Sequence, residues 1–145
     1  MKNKMIKEKL KRDHRSLVLW AANCAQHVLP YFEKEYPRDN RPRKAIEAGR
    51  AWVRGKIKMG EVRVAALAAH AAARNANNSA ARAAARAAGQ AVATAHVAGH
   101  APHAANYAIT AAEAAGIFEE LEWQYKHLPK HLRPLMKKIT KTNIK

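Results

Sequence analysis

Cysteine is almost missing from this 145-residue chain, where Cys24 stands alone. A single thiol cannot close an internal disulfide, so a reducing compartment, the cytoplasm, is expected. Large rings are scarce: two Phe, three Trp and four Tyr. β-branched alternation is scarce too, which argues against strands. The first fifteen residues are too charged to hold the apolar run of a secretion signal. No stretch reads as a membrane span, because alanine is only weakly apolar and Arg82, Arg86, His96 and His100 interrupt the alanine-rich part. A phosphate-binding loop and a glycine-rich cofactor fingerprint are both absent. Ser79 has no convincing base, and Cys24 with His27, three residues apart on one helix, reads as core rather than nucleophile. Together these absences point away from catalysis.

What is abundant is alanine and positive charge. Alanine occupies 33 positions, 27 of them between residues 65 and 115. A buried methyl contributes only about 0.8 kcal/mol. Alanine offsets this by losing no rotamer entropy, by having the best helix propensity, and by letting helix axes approach closely. Helices built from this block should therefore pack tightly, with Trp, Tyr and Phe filling the margins. The formal charge is +16, and most of it sits at the ends: net +5 over residues 1–15 and net +7 over 126–145. Such ends attract nucleic acid or anionic surfaces without specifying either. Lys2, Lys4, Lys7, Arg12, Lys137, Lys138 and Lys141 are the candidate contacts for an anion or a nucleic acid.

The pattern is helical almost throughout, and predicts an all-α bundle of five to six helices with a closely packed alanine-rich core. Residues 1–12 read as a basic N-terminal segment, 13–136 as one helical domain, and 137–145 as a basic tail. Asp13 is the expected N-cap of the first helix, on which Leu17, Trp20, Ala21, Cys24 and Val28 form one apolar stripe. Pro30 is expected to kink or end it. Asp39 or Asn40 caps the second helix, with Pro42 in its first turn. The third runs from about residue 61 to 76, with Val64, Leu67 and His70 along one face. NANNS (75–79) is a turn, with Asn78 or Ser79 capping a fourth helix from about 80 to 101. A fifth runs from near Pro102 to about residue 127, its stripe being His103, Tyr107, Ala114, Phe118, Leu121 and Tyr125. A short last helix includes Leu132, Leu135 and Met136. An apolar ridge left exposed would support a homodimer.

His96 and His100 are one helical turn apart in this reading, and so share a face. His70 faces them from the neighbouring helix, and His103 follows. These four imidazoles are the candidate ligands of a divalent transition metal. No Asp or Glu lies between residues 79 and 112 to accompany them. The competing reading is a polar cluster that sets helix register, with Tyr107 and Thr94 as hydrogen-bond partners. Arg82 and Arg86 would form the wet edge of the fourth helix, with the histidines nearer the interior.

Several strings in order carry a resemblance: LVLWAANCAQHVLPYFEKEYPRDNRPRKAIEAGRAWVRGKI, AALAAHAAAR, AARAAARAAGQAVATAHVAGHA and EWQYKHLPKHLR. Over residues 16–133 the chain resembles the bacterial immunity-protein family of polymorphic toxin systems. The resemblance implies a small, all-helical, non-enzymatic protein of producer or neighbour cells that neutralises a cognate toxin. It also implies that His70, His96 and His100 occupy recurring family positions, as do Trp20, Cys24, Pro30, Arg41, Pro42, Ala45, Ile46, Trp52, Trp123, His127, Leu128 and Pro129. His103 after Pro102, the NANNS turn, the lysine-rich tail and the strong positive charge depart from the pattern. A +16 protein does not suit masking the basic cleft of a nuclease, so the resemblance leaves three expectations: an acidic partner, binding away from the cleft, or tails that serve another anion.

Overall fold

The computed structural model describes the backbone of residues 2–143 and the side chains of residues 2–139. These form seven α-helices and one 3-10 turn, with no strand among the described residues. The helices are α1 (Lys2–Glu33), α2 (Arg41–Val53), α3 (Met59–Asn75), α4 (Ser79–Ala93), α5 (His100–Ala114), α6 (Glu120–His127) and α7 (Arg133–Asn143), with the turn Lys130–Leu132 before α7. The all-α bundle expected from the sequence is what forms, with slightly more helices than expected.

α4 is the middle of the fold, packed against α1, α2, α3 and α5. Along it Ala81, Ala83, Ala84, Ala85, Ala87, Ala88, Gly89, Ala91 and Val92 are all buried. The faces turned to these neighbours are apolar, and the open side carries the exposed Arg82 and the half-buried Arg86. A helix packed against four neighbours also has to be thin, which is what alanine provides. Bulk comes from elsewhere: Leu17, Val18, Val28, Leu29 and Phe32 on α1, and Ile46 on α2, are buried in the same core. The expected stripe of Leu17, Trp20, Ala21, Cys24 and Val28 is buried over its whole length.

The helix ends differ from the sequence reading in four places. α1 does not start at Asp13; it starts at Lys2, and Asp13 is a buried mid-helix residue. Nor does Pro30 end it. Only three residues follow Pro30 in the helix, and the buried Leu29 and Phe32 hold that last turn to the core. The fourth helix stops at Ala93, not near residue 101. There Thr94 Oγ1 donates back to the Gln90 carbonyl, and His14 Nε2 of α1 donates to the Thr94 carbonyl at 2.7 Å. The expected fifth helix is two helices, because Gly116 adopts a left-handed φ of 84°. Gly116 N–H donates to the Glu113 carbonyl and Ile117 N–H to that of Ala112, the paired bonds of a Schellman stop. Gly55, at φ 72°, ends α2 with the same two bonds, to Trp52 and Ala51.

Two caps agree with expectation. Asn78 Oδ1 accepts from Ala81 N–H at the start of α4. Before α2 the carboxylate of Asp39 accepts from Arg41 N–H and grips the Arg41 guanidinium at 2.9 and 2.7 Å.

Two expected apolar faces are corrected. Val64 and Leu67 on α3 are 68% and 70% exposed. The proposed stripe from His103 to Tyr125 is no stripe, since the break at Gly116 reorients its second half. Phe118, Leu121 and Tyr125 are 75%, 63% and 54% exposed.

Candidate functional site

The histidines come first. His70, on α3, lays its ring over Gly89 of α4, so tightly that a Cβ built on Gly89 would lie 2.6 Å from His70 Cε1 and 2.7 Å from Nε2. His100, at the start of α5, donates from Nδ1 to Gln90 Oε1 at 2.8 Å. Its ring is tilted against that of His103, 6.2 Å away. His96 lies in the turn between α4 and α5, exposed, so it does not share a helical face with His100. Neither does it sit nearer the interior than Arg86, which is half-buried with its guanidinium 5.9 Å from the Tyr107 ring. Arg82 is at the wet edge as expected. Tyr107 and Thr94 were the expected hydrogen-bond partners of the cluster; the partner found is Gln90.

Burial lowers the pKa of His70, and the charges of Arg86 and Arg74 and the nearby His100 add to the effect. Burial does the same for His100, with His103 and His96 contributing. The arrangement therefore favours neutral imidazoles at physiological pH. Among the described residues no set of three or more His, Cys, Asp or Glu side chains is placed to hold a metal ion.

The basic candidates lie in separate places. Lys2, Lys4, Lys7 and Arg12 are exposed along the first three turns of α1. Lys137 and Lys138 are on α7. The side chain of Lys141 lies outside the described residues.

A polar network that the sequence reading missed joins α6 to the core. Gln124, only 2% exposed, donates from Nε2 to the Ala105 carbonyl at 2.9 Å, and its own carbonyl accepts from Trp20 Nε1 at 3.1 Å. Glu120, 3% exposed, accepts from His27 Nδ1 at 2.8 and 2.9 Å. The His27 ring stacks on Trp123, with centroids 3.7 Å apart and planes within 6°. Trp123 also stacks on His127 at 4.1 Å, and the Trp123 carbonyl accepts from His127 Nδ1. The only sequence signal was the mixture of Glu, Trp, Gln and His in ELEWQYKH, which is too polar for a purely apolar contact. Burial, with the nearby Glu120 carboxylate adding to it, pushes the Cys24 thiol far up, so it is inert.

Between α5, α6 and α7 runs a groove of about 760 Å³. Its floor is apolar, with Trp20, Ala105, Ile109 and Leu128, and one wall is α6 through Leu121 and Tyr125. The other wall is α7, which brings Arg133, Lys137 and Lys138, and no carboxylate lines the groove among the described residues. The Arg133 guanidinium lies 4.4 Å from the Tyr125 ring centroid, so the two walls touch there. A second groove of similar volume lies between α2 and α3, but there Arg41, Lys44 and Arg54 alternate with Glu47 and Glu61.

A family model described as Imm-5 like putative immunity protein matches residues 8–131. The chain belongs to this family. No curated protein and no solved structure matches it significantly. The match to the Imm-5-like family takes in α2 to α6 entirely, together with α1 from Glu8 onward, and so contains the histidine group and the Trp20–Gln124 network. It ends within the 3-10 turn, so α7 and residues 2–7 of α1 lie outside the matched residues. No helix among the described residues is long and apolar enough to cross a membrane.

Proposed function

We propose that the protein is a non-enzymatic immunity module, which neutralises a cognate bacterial toxin in the cytoplasm by binding it. The observation that carries this reading is the family match, which spans nearly the whole bundle. The chemistry agrees with it. The Cys24 thiol is buried and inert, the buried Glu120 is spent on His27 in holding α6, and His70 and His100 favour the neutral state. Nothing on this list forms a nucleophile with an activated base. The net charge of +16 favours an acidic surface on the toxin over a basic nuclease cleft.

Co-expression tests this directly. The gene should sit beside a toxin gene, and the protein should restore growth to cells making that toxin. Failure of rescue with a well-expressed protein counts against the reading.

A second reading, nucleic-acid binding, is favoured by one observation: every residue from 2 to 12 is exposed, and six of these eleven are Lys or Arg. Binding of this kind should show a steep fall of log K with log salt, and should weaken when residues 2–12 are removed. A flat salt response rules it out.

A further inference from the structure

The groove between α5, α6 and α7 has features that the second groove lacks. Among the described residues its lining carries Arg133 and Lys137 with no Asp or Glu, whereas the cations of the α2–α3 groove alternate with Glu47 and Glu61. Its apolar surface does not stop at the rim. Leu121 and Tyr125 line it and are still 63% and 54% exposed, and Phe118, just before α6, is 75% exposed. Arg133 Nε is buried there without a hydrogen-bond acceptor among the described residues. An apolar trough between helices, open along one side and rimmed with positive charge on the other, has the shape and charge to take an amphipathic helix with acidic flanks.

We propose that this groove docks an acidic amphipathic helix of the toxin, its apolar face on Leu121, Tyr125 and Ile109 and its carboxylates on α7. The proposal rests on the immunity reading for the identity of the partner. A small molecule would fill the trough yet leave Phe118 and the outer faces of Leu121 and Tyr125 in water. A second copy of the chain, itself at +16, would meet like charge at α7. The floor lies within the residues that the family model matches, and the cationic wall lies beyond them. This division suits a shared cradle whose charge selection is supplied by α7.

The test has two arms. In the first, the neighbouring toxin is co-expressed with wild-type protein, with Leu121→Asp, with Lys137→Glu, and with the controls Val64→Asp and Lys44→Glu, which place the same changes in the α2–α3 groove. Leu121, Val64, Lys44 and Lys137 are all exposed, so these variants should keep the wild-type melting temperature. Rescue by wild type and both controls, with rescue lost in Leu121→Asp and Lys137→Glu, supports the groove. Rescue by all five overturns it and leaves the immunity reading standing. Failure of wild type removes the immunity reading and with it the toxin as the occupant, and the second arm then decides whether the groove takes an acidic helix.

The second arm does not depend on the toxin. A synthetic helical peptide with Leu on one face and Glu on the flanks is titrated against the full chain, beside a counterpart with Lys in place of Glu. The Glu peptide should bind, the Lys peptide should not, and Lys137→Glu should weaken binding about tenfold or more while Lys44→Glu, with the same change in net charge, changes it little. Equal weakening by both reversals would mean that only the overall charge is sensed. That result, or self-association of the chain blocked by Leu121→Asp, overturns the proposal.

Discussion

Gly89→Ala is the most revealing single change in this protein. In an exposed helix the substitution would stabilise by about 0.5–1 kcal/mol, because glycine loses more backbone freedom on folding. Here the new methyl would lie 2.6 Å from His70 Cε1, 2.7 Å from Nε2 and 3.0 Å from Nδ1. Three ring atoms inside contact distance mean that the ring has to leave. Overpacking of this kind costs about 1–3 kcal/mol, so the single variant should be neutral to about 2 kcal/mol less stable. Removing the ring removes the conflict. In a His70→Ala background, Gly89→Ala should recover the full helix-propensity gain. A double-mutant cycle by urea denaturation should therefore show a coupling of about 1–3 kcal/mol between the two positions. At this chain length the difference between the two backgrounds is about 2–4 °C in melting temperature for each kcal/mol. Additive effects, with Gly89→Ala stabilising in both backgrounds, would refute the packing of the His70 imidazole on Gly89.

Ala84, fully buried at the centre of α4, should not accept a larger residue: Ala84→Leu should cost about 1–3 kcal/mol, measured by chemical denaturation. Trp20→Phe leaves the buried Gln124 carbonyl without its donor, and should cost about 1–3 kcal/mol before any loss of ring volume is counted. The pH dependence follows from His70 and His100, whose folded-state pKa values lie below the ordinary 6.5. Below that value the unfolded chain binds more protons at these sites than the folded one. Their contribution to stability is therefore complete above about pH 6.5 and is lost as pH falls further. Urea midpoints at pH 7.5 and 5.5 should show the drop, and a His70→Ala, His100→Gln variant should show less of it. Native Cys24 should resist a thiol reagent such as dithionitrobenzoate until the protein unfolds.

The buried stripe of α1 was readable because Leu17, Trp20, Ala21, Cys24 and Val28 recur at helical spacing and face one core. The alanine block was readable as closely packed because few other arrangements reward methyl side chains. What could not be read locally was set by distant partners. α4 stops at Ala93 although no proline or glycine stands there, and its end is met by His14, eighty residues earlier in the chain. That early stop separates His96 from His100, so spacing alone misplaced the histidines. The break at Gly116 did have a signal, a glycine followed by an apolar residue after a long helix. The alanine-rich context before it and the apolar residues at helical spacing after it concealed the break. Gln90 and Gln124 were passed over because an isolated glutamine carries no pattern. The groove could not be seen at all, because its three walls come from segments that look unrelated in order.

α1 is 32 residues long, about 48 Å at 1.5 Å per residue, and its residues 2–12 touch little but water. A helical segment as short as residues 2–12 is marginal when no packing supports it. Its first turn is basic, with no acid to complement the positive end of the helix dipole. This projecting rod is therefore the first place to unwind and the first place for trypsin to cut, while the bundle behind it keeps its shape. Any acidic body that grips it would convert a fraying end into a fixed strut, so the tightness of that grip would be read out as protease resistance at Lys4, Lys7 and Lys9.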